Sequence, residues 1–381
     1  MEKRWLGAEG RVGCMIARPM PEPAAAILPH IERILDAARI APSHDNMQPW
    51  RFVVEEDTVS FLVDHERDRS PANAGGRMAC IAVGAALECA LLRAGRMGSA
   101  VRFLPLRPNA LVTIHISAPK RDAEPDKALL RRATNRRLYD GRPLDDATFA
   151  WLQQATPVLD ATRTLWFGRE RVRALGPLVE EGEALFFADA RAREAALRAV
   201  RFDVRDNEEV VRGLSLGCLE LSGPERMTLD ALRRTPQDRL VAMGAMAKMG
   251  AHARRLVESA SGVCVVVTRG AEPAGDVAVG RCMQRAWLAL TRRGLVAQPM
   301  TAIPALEAML ELDERAGVEN EGRERAAAVV AACLGAFPSV EKGSRVALLM
   351  RVGNAPPPTA LVRRLPLHDS VAAAAAAEPG P

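Results

Sequence analysis

The apolar residues of this chain recur at spacings that predict alternating helices and strands. Between Ala24 and Ile40, apolar side chains such as Ile27, Ile31 and Leu35 recur every three or four positions, which predicts an amphipathic helix. The following segment RFVVEEDTVSFLVD (51–64) instead alternates apolar and polar residues on either side of an acidic turn. This alternation predicts a β-hairpin.

Two later segments are apolar on nearly every face. Residues 78–97 are mostly apolar, with the polar residue Glu88 in the middle of the segment, and residues 276–293 have a similar composition. A helix that is apolar all round is a buried one. The same pattern predicts the remaining elements: strands at 111–117, 262–269 and 344–353, and helices at 124–137, 145–155, 168–258 and 302–335.

The two apolar helices also share a sequence repeat. Both contain Ala-Val-Gly near their start, at 82–84 and at 278–280, so that the two copies lie 196 residues apart. The repeat predicts two copies of one fold unit that pack about a pseudo-twofold axis, as identical subunits do in a dimer.

The expected fold class is therefore α+β, with two tandem lobes that form an internal pseudo-dimer, each a small mixed sheet with a buried central helix. The pattern divides the chain into an irregular N-terminal arm (1–23), a first lobe (24–123), a second lobe (124–370) with a helical insertion at about 168–258, and a disordered low-complexity tail (371–381).

Composition removes several classes of function. The chain of 381 residues is 48% hydrophobic and 26% charged, with a net charge of +5 and only 4% aromatic residues. Its arginines are spread along the chain and alternate with acids, so we expect no nucleic acid partner. No segment predicts a membrane span or a signal peptide, and the seven cysteines form no C-x-x-C motif. We therefore expect a cytoplasmic protein with reduced thiols, no membrane partner and no metal site.

One loop carries a long and unusual motif. APSHDNMQPWRF (41–52) resembles the A-P-S-x-x-N-x-Q-P-W motif of the nitroreductase-fold flavoproteins. The resemblance extends over roughly residues 30 to 367 and is greatest for the double-lobed branch. That branch includes the dormancy-associated flavin proteins of mycobacteria and nitroreductase-like domains fused to E1-like domains. Its further matches are LVDHERDRSPANAGGR (62–77), RRATNRRLYD (131–140), RFDVRDNEEVVRGLSLGCLEL (201–221), QRAWLALTRRGLVAQPM (284–300) and MRVGNAPPPTALVRRLPL (350–367).

The resemblance implies a nitroreductase fold with FMN bound between the lobes. In the family one subunit supplies an arginine-rich phosphate motif and the other supplies the P-S-x-x-N-x-Q-P-W loop. Here the arginine-rich motif is found only in the second half, at 131–137, and the loop only in the first half. The segment at 155–167, which stands where a second loop is expected, lacks Ser, Asn and Gln. We therefore predict one FMN per chain.

The same resemblance assigns the cofactor-binding residues. Planar guanidinium groups suit a phosphate dianion, and hydroxyl and amide side chains suit the ribityl chain and the edge of the ring. A turn, helix caps and surface salt bridges remain the alternative roles of these residue types. The stretch after the second apolar helix implies backbone amides near the reactive edge of the flavin. The predicted cofactor-binding residues are Ser43, Asn46, Gln48, Arg132, Thr134, Asn135, Arg136, Pro299, Met300, Thr301, Arg363 and Arg364.

The sequence contains no obvious catalytic dyad, so we assign no catalytic residue. The resemblance implies an FMN-dependent oxidoreductase that carries hydride from NAD(P)H through flavin N5 to a flat electron acceptor such as a nitro compound or a quinone. Two alternatives stay open. One is a flavin-storing protein in which residues 168–258, with the Met-rich run 243–250, form a lid. The other is a biosynthetic dehydrogenase that acts on a carrier-bound or peptide substrate. The expected partner is a small molecule or none, and the expected assembly is a monomer as internal pseudo-dimer, or a homodimer.

Overall fold

The structure, a computed structural model, describes residues 27–156, 158–204, 210–270, 272–315, 322–337 and 339–372. The predicted arm at 1–23 and the first residues of the first predicted helix lie outside this part of the chain.

The first lobe is a small sheet with a long central helix. The predicted hairpin is confirmed, because strands β1 (Trp50–Glu55) and β2 (Thr58–Val63) pair in antiparallel fashion. Their register runs from Trp50↔Val63 to Glu55↔Thr58. The sheet order along these strands is β1-β2-β4-β3, with antiparallel neighbours throughout. The elements of the lobe are α1 (Pro29–Arg39), β1 (Trp50–Glu55), β2 (Thr58–Val63), α2 (Arg77–Met97), β3 (Val101–Leu104) and β4 (Ala110–Ile116).

The second lobe follows the same plan with long insertions. It begins with α3 (Lys127–Arg131), α4 (Asp146–Ala155) and β5 (Thr162–Gly168). The insertion contains α5 (Arg169–Ala188), α6 (Ala190–Ala199), β6 (Val200–Arg201), β7 (Leu214–Ser215), α7 (Gly223–Arg234), α8 (Gln237–Ala242) and α9 (Ala245–Glu258). The core then resumes with β8 (Gly262–Thr268), α10 (Ala274–Arg292), β9 (Val296–Met300), α11 (Ala302–Arg315), α12 (Arg323–Gly335) and β10 (Arg345–Gly353).

The two sheets have matching strand orders. The second sheet runs β5-β8-β10-β9, again with antiparallel neighbours, so each strand occupies the place of its counterpart in β1-β2-β4-β3. Each lobe also places its apolar helix, α2 or α10, between the second and third strands in chain order. The predicted α+β architecture of two tandem lobes is confirmed.

The central helices α2 and α10 cross through a reciprocal glycine contact. A Cβ atom added to Gly84 would lie 2.1 Å from the carbonyl oxygen of Val277, and one added to Gly280 would lie 1.9 Å from that of Ile81. The offset of 196 residues relates Gly84 to Gly280 and also Ile81 to Val277. Reciprocal contacts of this kind are the property of a twofold interface. The pseudo-twofold packing predicted from the repeat is therefore present at the level of individual residues.

A buried ion pair joins the same two helices. The Glu88 side chain is fully buried and accepts hydrogen bonds from Nε of Arg281 at 2.9 Å and from Nε of Arg285 at 2.5 Å. Two guanidinium partners compensate a carboxylate that would be costly to bury alone. Within the described residues, the segment Pro71–Met97 is the one helix long and apolar enough to span a membrane, and 83% of its apolar window of 18 residues is buried inside the protein. Its apolar surface is thus used by the lobe interface.

The structure corrects three predicted boundaries. The helix predicted over 124–137 is limited to α3, because the chain leaves it in an extended conformation and Thr134 bridges to Ala297 at the edge of the second sheet. The tail predicted to be disordered from residue 371 begins with a strand, β11 (Val371–Ala372), which pairs in parallel with β1. The helix predicted over 302–335 is divided between α11 and α12.

The insertion predicted over 168–258 is divided in its packing. Helices α5 and α9 pack on the second sheet, where Val172, Val179 and Val257 belong to its apolar core. A Cβ atom at Gly250 would lie 2.3 Å from the carbonyl oxygen of Glu180, so these two helices touch closely. Of the Met-rich run, Met243 is exposed and Met249 packs partly against the larger core. Helices α5 and α9 are therefore packed closely on the second lobe.

Candidate functional site

The loop between α1 and β1 has a strained backbone. Asp45, Asn46 and Gln48 have φ values of 44°, 58° and 53°, in the left-handed region that non-glycine residues seldom adopt. Each such residue costs about 1–3 kcal/mol unless its surroundings fix it. Strain concentrated in one loop is a feature of functional sites.

Buried side-chain amides hold this loop against two distant segments. Nε2 of Gln48 donates to the carbonyl oxygen of Val211 at 2.6 Å, and its Oε1 accepts from the backbone N–H of Leu365 at 2.8 Å. Nδ2 of Asn46 donates to the carbonyl oxygen of Arg363 at 3.1 Å. Both side chains are almost completely buried. They therefore join the loop to the insertion and to the C-terminal segment.

Beside this loop lies the extended segment that follows α3. Arg132, Thr134 and Arg136 stand two residues apart and all line one cavity, as the period of an extended chain allows. Asn135 points elsewhere, and its Nδ2 donates to the carbonyl oxygen of Pro356 at 2.8 Å. Its Oδ1 accepts from the backbone N–H of Arg137.

These segments line a cavity of about 560 Å³, which we call the larger cavity. It is lined by the 39–46 loop region of the first lobe, by residues 129–136, by Leu214 and Cys218 of the insertion, and by residues 360–366. Six arginines line it: Arg39, Arg131, Arg132, Arg136, Arg363 and Arg364. Asp45 is the one carboxylate among its described lining residues. The larger cavity is therefore strongly basic.

Arg132 is buried and Arg364 is partly buried, and neither has a carboxylate partner among the described residues. Burial lowers the pKa of Arg132 to about 10, and burial together with the charge of Arg132 lowers the pKa of Arg364 to about 9. Nε of Arg132 has no hydrogen-bond partner among the described residues, and its guanidinium lies 4.6 Å from the ring of Trp287. Nη1 of Arg364 donates to Oδ1 of Asn46 at 2.8 Å.

Arg136 completes the buried cluster. Burial lowers its pKa as well, although the charge of Asp45 acts in the opposite direction, and its Nη1 donates to the carbonyl oxygen of Cys218 at 3.1 Å. A charge taken out of water is costly unless an opposite charge accompanies it. Three guanidinium groups in this state favour an anion in the larger cavity.

A smaller cavity of about 110 Å³ adjoins the larger one and shares Ser43, Asp45, Thr134 and Arg136 with it. One side is apolar and comes from the two central helices and from β10. Those residues are Met78, Ile81, Ala82, Met283, Trp287 and Leu348. The other side includes His44, Pro299 and Thr301. The smaller cavity thus lies on the interface between the lobes and is lined by both apolar and polar groups.

His44 lines this smaller cavity, and two carboxylates lie close to its ring. Its Nδ1 lies 3.7 Å from Oδ2 of Asp45 and 3.8 Å from Oδ2 of Asp68. Burial lowers the pKa of His44, but the two carboxylates outweigh it and raise the pKa to about 9. Burial raises the pKa of Asp68, and its contacts with His44 and Ser70 bring it below the ordinary value. His44 therefore carries a proton at neutral pH.

Comparisons with known proteins agree with the resemblance seen in the sequence. Residues 28–64, which contain α1, the strained loop and the hairpin, match the model of the Nitroreductase family. This segment is therefore similar to the Nitroreductase family. Along 370 residues the chain is 25% identical to the uncharacterized protein MT1398 of Mycobacterium tuberculosis, a match that covers 93% of this chain and 50% of that protein.

Two further comparisons cover less. The uncharacterized protein Rv3127 of Mycobacterium tuberculosis is 33% identical over 114 residues, which is 26% of this chain and 33% of that protein. The chain thus spans half or less of the length of these relatives. The crystal structure of the FMN- and NADPH-dependent nitroreductase NfnB from Sphigopyxis sp. strain HMH overlaps 63% of this chain and 92% of its own, with a TM-score of 0.32 and 17% identity.

Most of the residues predicted from the nitroreductase-like motifs come together around the two cavities. Seven line the larger cavity: Ser43, Asn46, Arg132, Thr134, Arg136, Arg363 and Arg364. Pro299 and Thr301 line the smaller one. Gln48, Asn135 and Met300 line neither cavity. The first two are turned toward the backbone segments that they hold, and Met300 is buried in the core of the second lobe.

The motif did not identify every residue of the site. Asp45 and Asp68 flank His44, and Leu214 and Cys218 of the insertion cover part of the larger cavity. Asp68 lies within LVDHERDRSPANAGGR, which resembles the family, so this signal was available in the sequence. Leu214 and Cys218 likewise lie within the matching segment RFDVRDNEEVVRGLSLGCLEL (201–221), but only the tertiary fold shows that they lie near the loop.

Residues 210–220 of the insertion form a cover over the larger cavity. Besides the contacts of Gln48 and Asn46, the backbone N–H of Arg363 donates to the carbonyl oxygen of Val210 at 2.9 Å. Glu220 accepts at 2.8 Å from Oγ1 of Thr359. This segment is thus held against the C-terminal segment by polar contacts.

Proposed function

We propose that this chain is an FMN-binding oxidoreductase of nitroreductase type. The observation that carries the proposal is the cluster of Arg132, Arg136 and Arg364, which lines a cavity, is wholly or partly buried and has few anionic partners among the described residues. A phosphate dianion suits such a cluster, because guanidinium groups bind it bidentately and stay charged. The match of residues 28–64 to the Nitroreductase family supports the same conclusion.

The remaining geometry is consistent with the rest of an FMN molecule. The phosphate would lie at the arginine cluster, with Ser43 and Thr134 near the ribityl hydroxyls, since both line the two cavities. The smaller cavity offers apolar side chains for a flat ring, and Pro299 and Thr301 line it as well. FMN supplies two-electron chemistry, in which it takes hydride from NAD(P)H and passes it to an acceptor. The residues of the chain bind it, orient it and exclude water.

The test is anaerobic reduction of the FMN-loaded protein. NADPH or NADH, added without oxygen, should bleach the flavin absorbance, and a nitro compound or quinone should restore it. A protein that takes up no FMN would contradict the proposal. A protein that binds FMN but is bleached only by dithionite would support the second candidate function.

That second candidate is a flavin-sequestering protein with little turnover. The specific observation in its favour is the cover of residues 210–220, which contacts the strained loop and the C-terminal segment. If the cover shields the flavin, cleavage within it should accelerate reduction by NADPH while the flavin stays bound. We also propose that the site takes a small-molecule partner, and that the chain acts as a monomer with an internal pseudo-dimer or as a homodimer.

A further inference from the structure

His44 is a buried titratable group that FMN binding alone does not use. Its side chain is 13% exposed and lines the smaller cavity, where we place the flavin ring. Nδ1 is turned toward Asp45 and Asp68, and neither this nitrogen nor Oδ2 of Asp68 has a hydrogen-bond partner among the described residues. Nε2 is thus the nitrogen that remains for a ligand.

The charged groups around His44 come from several elements. Asp45 lies beside it in the loop, and Asp68 comes from the segment that follows β2. Arg136 approaches from the extended segment after α3 and acts against the proton on His44. Glu183 of α5 interacts electrostatically with Asp45. Two carboxylates close to the ring and one guanidinium farther along the cavity leave the protonated form favoured.

We propose that His44 is a catalytic proton donor to the electron acceptor in the smaller cavity. This inference rests on the proposed function. A quinone that becomes a hydroquinone gains two electrons and one hydrogen nucleus from the reduced flavin, the two-electron donor, and needs one further proton. The N–H bond at Nε2 of His44 breaks, an O–H bond forms on the acceptor, and the neutral imidazole regains its proton from solvent. Asp68 is a positioning residue that orients the ring and keeps it protonated.

The electrostatics give this role a definite pH dependence. The pKa of His44, raised to about 9 by Asp45 and Asp68 against the effect of burial, keeps the donor protonated throughout the neutral range. Proton-dependent reduction is therefore expected to continue below this pH and to decline as the pH rises through it. Loss of the Asp68 charge should lower the pKa of His44 and move the decline to lower pH.

The experiment compares acceptors that differ in their need for a proton. FMN-loaded protein is photoreduced without oxygen and mixed with para-benzoquinone or with ferricyanide, which takes one electron and no proton. The variants are His44→Gln and Asp68→Asn, and the matched control is His115→Gln, because His115 also faces a carboxylate, Asp57, at 2.9 Å but lies on β4. In parallel, NMR follows the titration of the histidine rings in the protein without FMN.

We expect His44→Gln to slow reoxidation by benzoquinone by about 100-fold, and ferricyanide by less than about twofold. His115→Gln should change neither rate. The His44 ring signal should titrate well above the ordinary histidine range, and lower in Asp68→Asn. Equal slowing with both acceptors, an unchanged benzoquinone rate, or an ordinary His44 titration would each overturn the inference. Failure to bind FMN would overturn the proposed function as well, whereas FMN binding with an unchanged rate ratio would overturn the proton donor alone.

Discussion

The two lobes share one architecture but differ at the segment that joins the first strand of the sheet to the helix before it. In the first lobe, the chain between α1 and β1 forms the strained loop that contains Ser43, Asn46 and Gln48. In the second lobe, α4 ends at Ala155 and β5 begins at Thr162, and Leu159 bridges to Thr162. The strand order and the reciprocal glycine contact are the same in both halves. The packing of the two lobes is therefore symmetric, whereas the segments that lead into their first strands differ.

This difference shows what fusion of two subunits permits. Two identical subunits must carry every motif twice, because a mutation in one changes both. In a single chain the halves vary independently, so one half can keep the loop and the other the arginines. The connection between the first two strands of each sheet varies in the same way. It is a tight turn between β1 and β2 in the first lobe, and it contains the insertion α5–α9 between β5 and β8 in the second.

The largest effect is expected at the shared glycine contact. Gly280→Ala and Gly84→Ala each place a methyl group about 2 Å from a backbone carbonyl oxygen, and overpacking of a core costs about 3 kcal/mol. Both should therefore lower the free energy of unfolding by similar amounts, as measured by urea denaturation. Gly95→Ala, in α2 but with no atom within 4 Å of the added methyl group, should stabilise the protein by about 0.5–1 kcal/mol. Strongly unequal losses at Gly84 and Gly280 would argue against a pseudo-twofold interface.

A smaller effect with opposite signs is expected at Arg132. In Arg132→Met the loss of a charge-assisted contact to phosphate should weaken FMN binding by about 2 kcal/mol. Removal of an uncompensated buried charge should at the same time leave the FMN-free protein as stable as before or more stable. Calorimetry with FMN and with riboflavin, which lacks the phosphate, separates the two contributions.

The control for this variant is Arg137→Ala, from the same segment, because Arg137 is paired with Glu220 and Thr359 and does not line the cavities. It should leave FMN affinity unchanged. If Arg132→Met weakened FMN and riboflavin binding equally, Arg132 would support the fold and not the phosphate.

The sequence predicted the architecture well because its signals are local. The hairpin, the two apolar helices and their repeat all depend on periodicity, which is visible in the chain itself. The helix predicted over 124–137 was wrong beyond Arg131, since pairing of Thr134 with the edge of the second sheet overrides helical preference there. The contribution of Leu214 and the environment of His44 depend on contacts between distant segments. Such contacts leave no periodic signal.

The smallest effect concerns the contact of the insertion with the strained loop. Burial, and to a lesser extent the charge of Asp45, raise the pKa of Glu183 in α5 to about 7. The native protein therefore binds more protons than the unfolded chain from roughly pH 4.5 to 7, so the free energy of unfolding should fall as pH rises through this window. Glu183→Gln should remove this fall and stabilise the protein above pH 7.

The matched control is Glu181→Gln on the same helix, whose carboxylate pairs with Arg325 at the surface. It should leave the pH dependence of stability unchanged. An identical pH profile for wild type and Glu183→Gln, measured by urea unfolding between pH 5 and 8, would place Glu183 in contact with solvent instead of the loop.

The central claim is that the lobes together form one composite flavin site. The most direct measurement is the number of FMN molecules bound per chain at saturation, from calorimetry on FMN-free protein and from the flavin absorbance of the loaded protein. The division of the arginine cluster and the strained loop between the lobes predicts one FMN per chain. Two FMN per chain would mean that the second lobe has a complete site of its own, and no bound FMN would contradict the account as a whole.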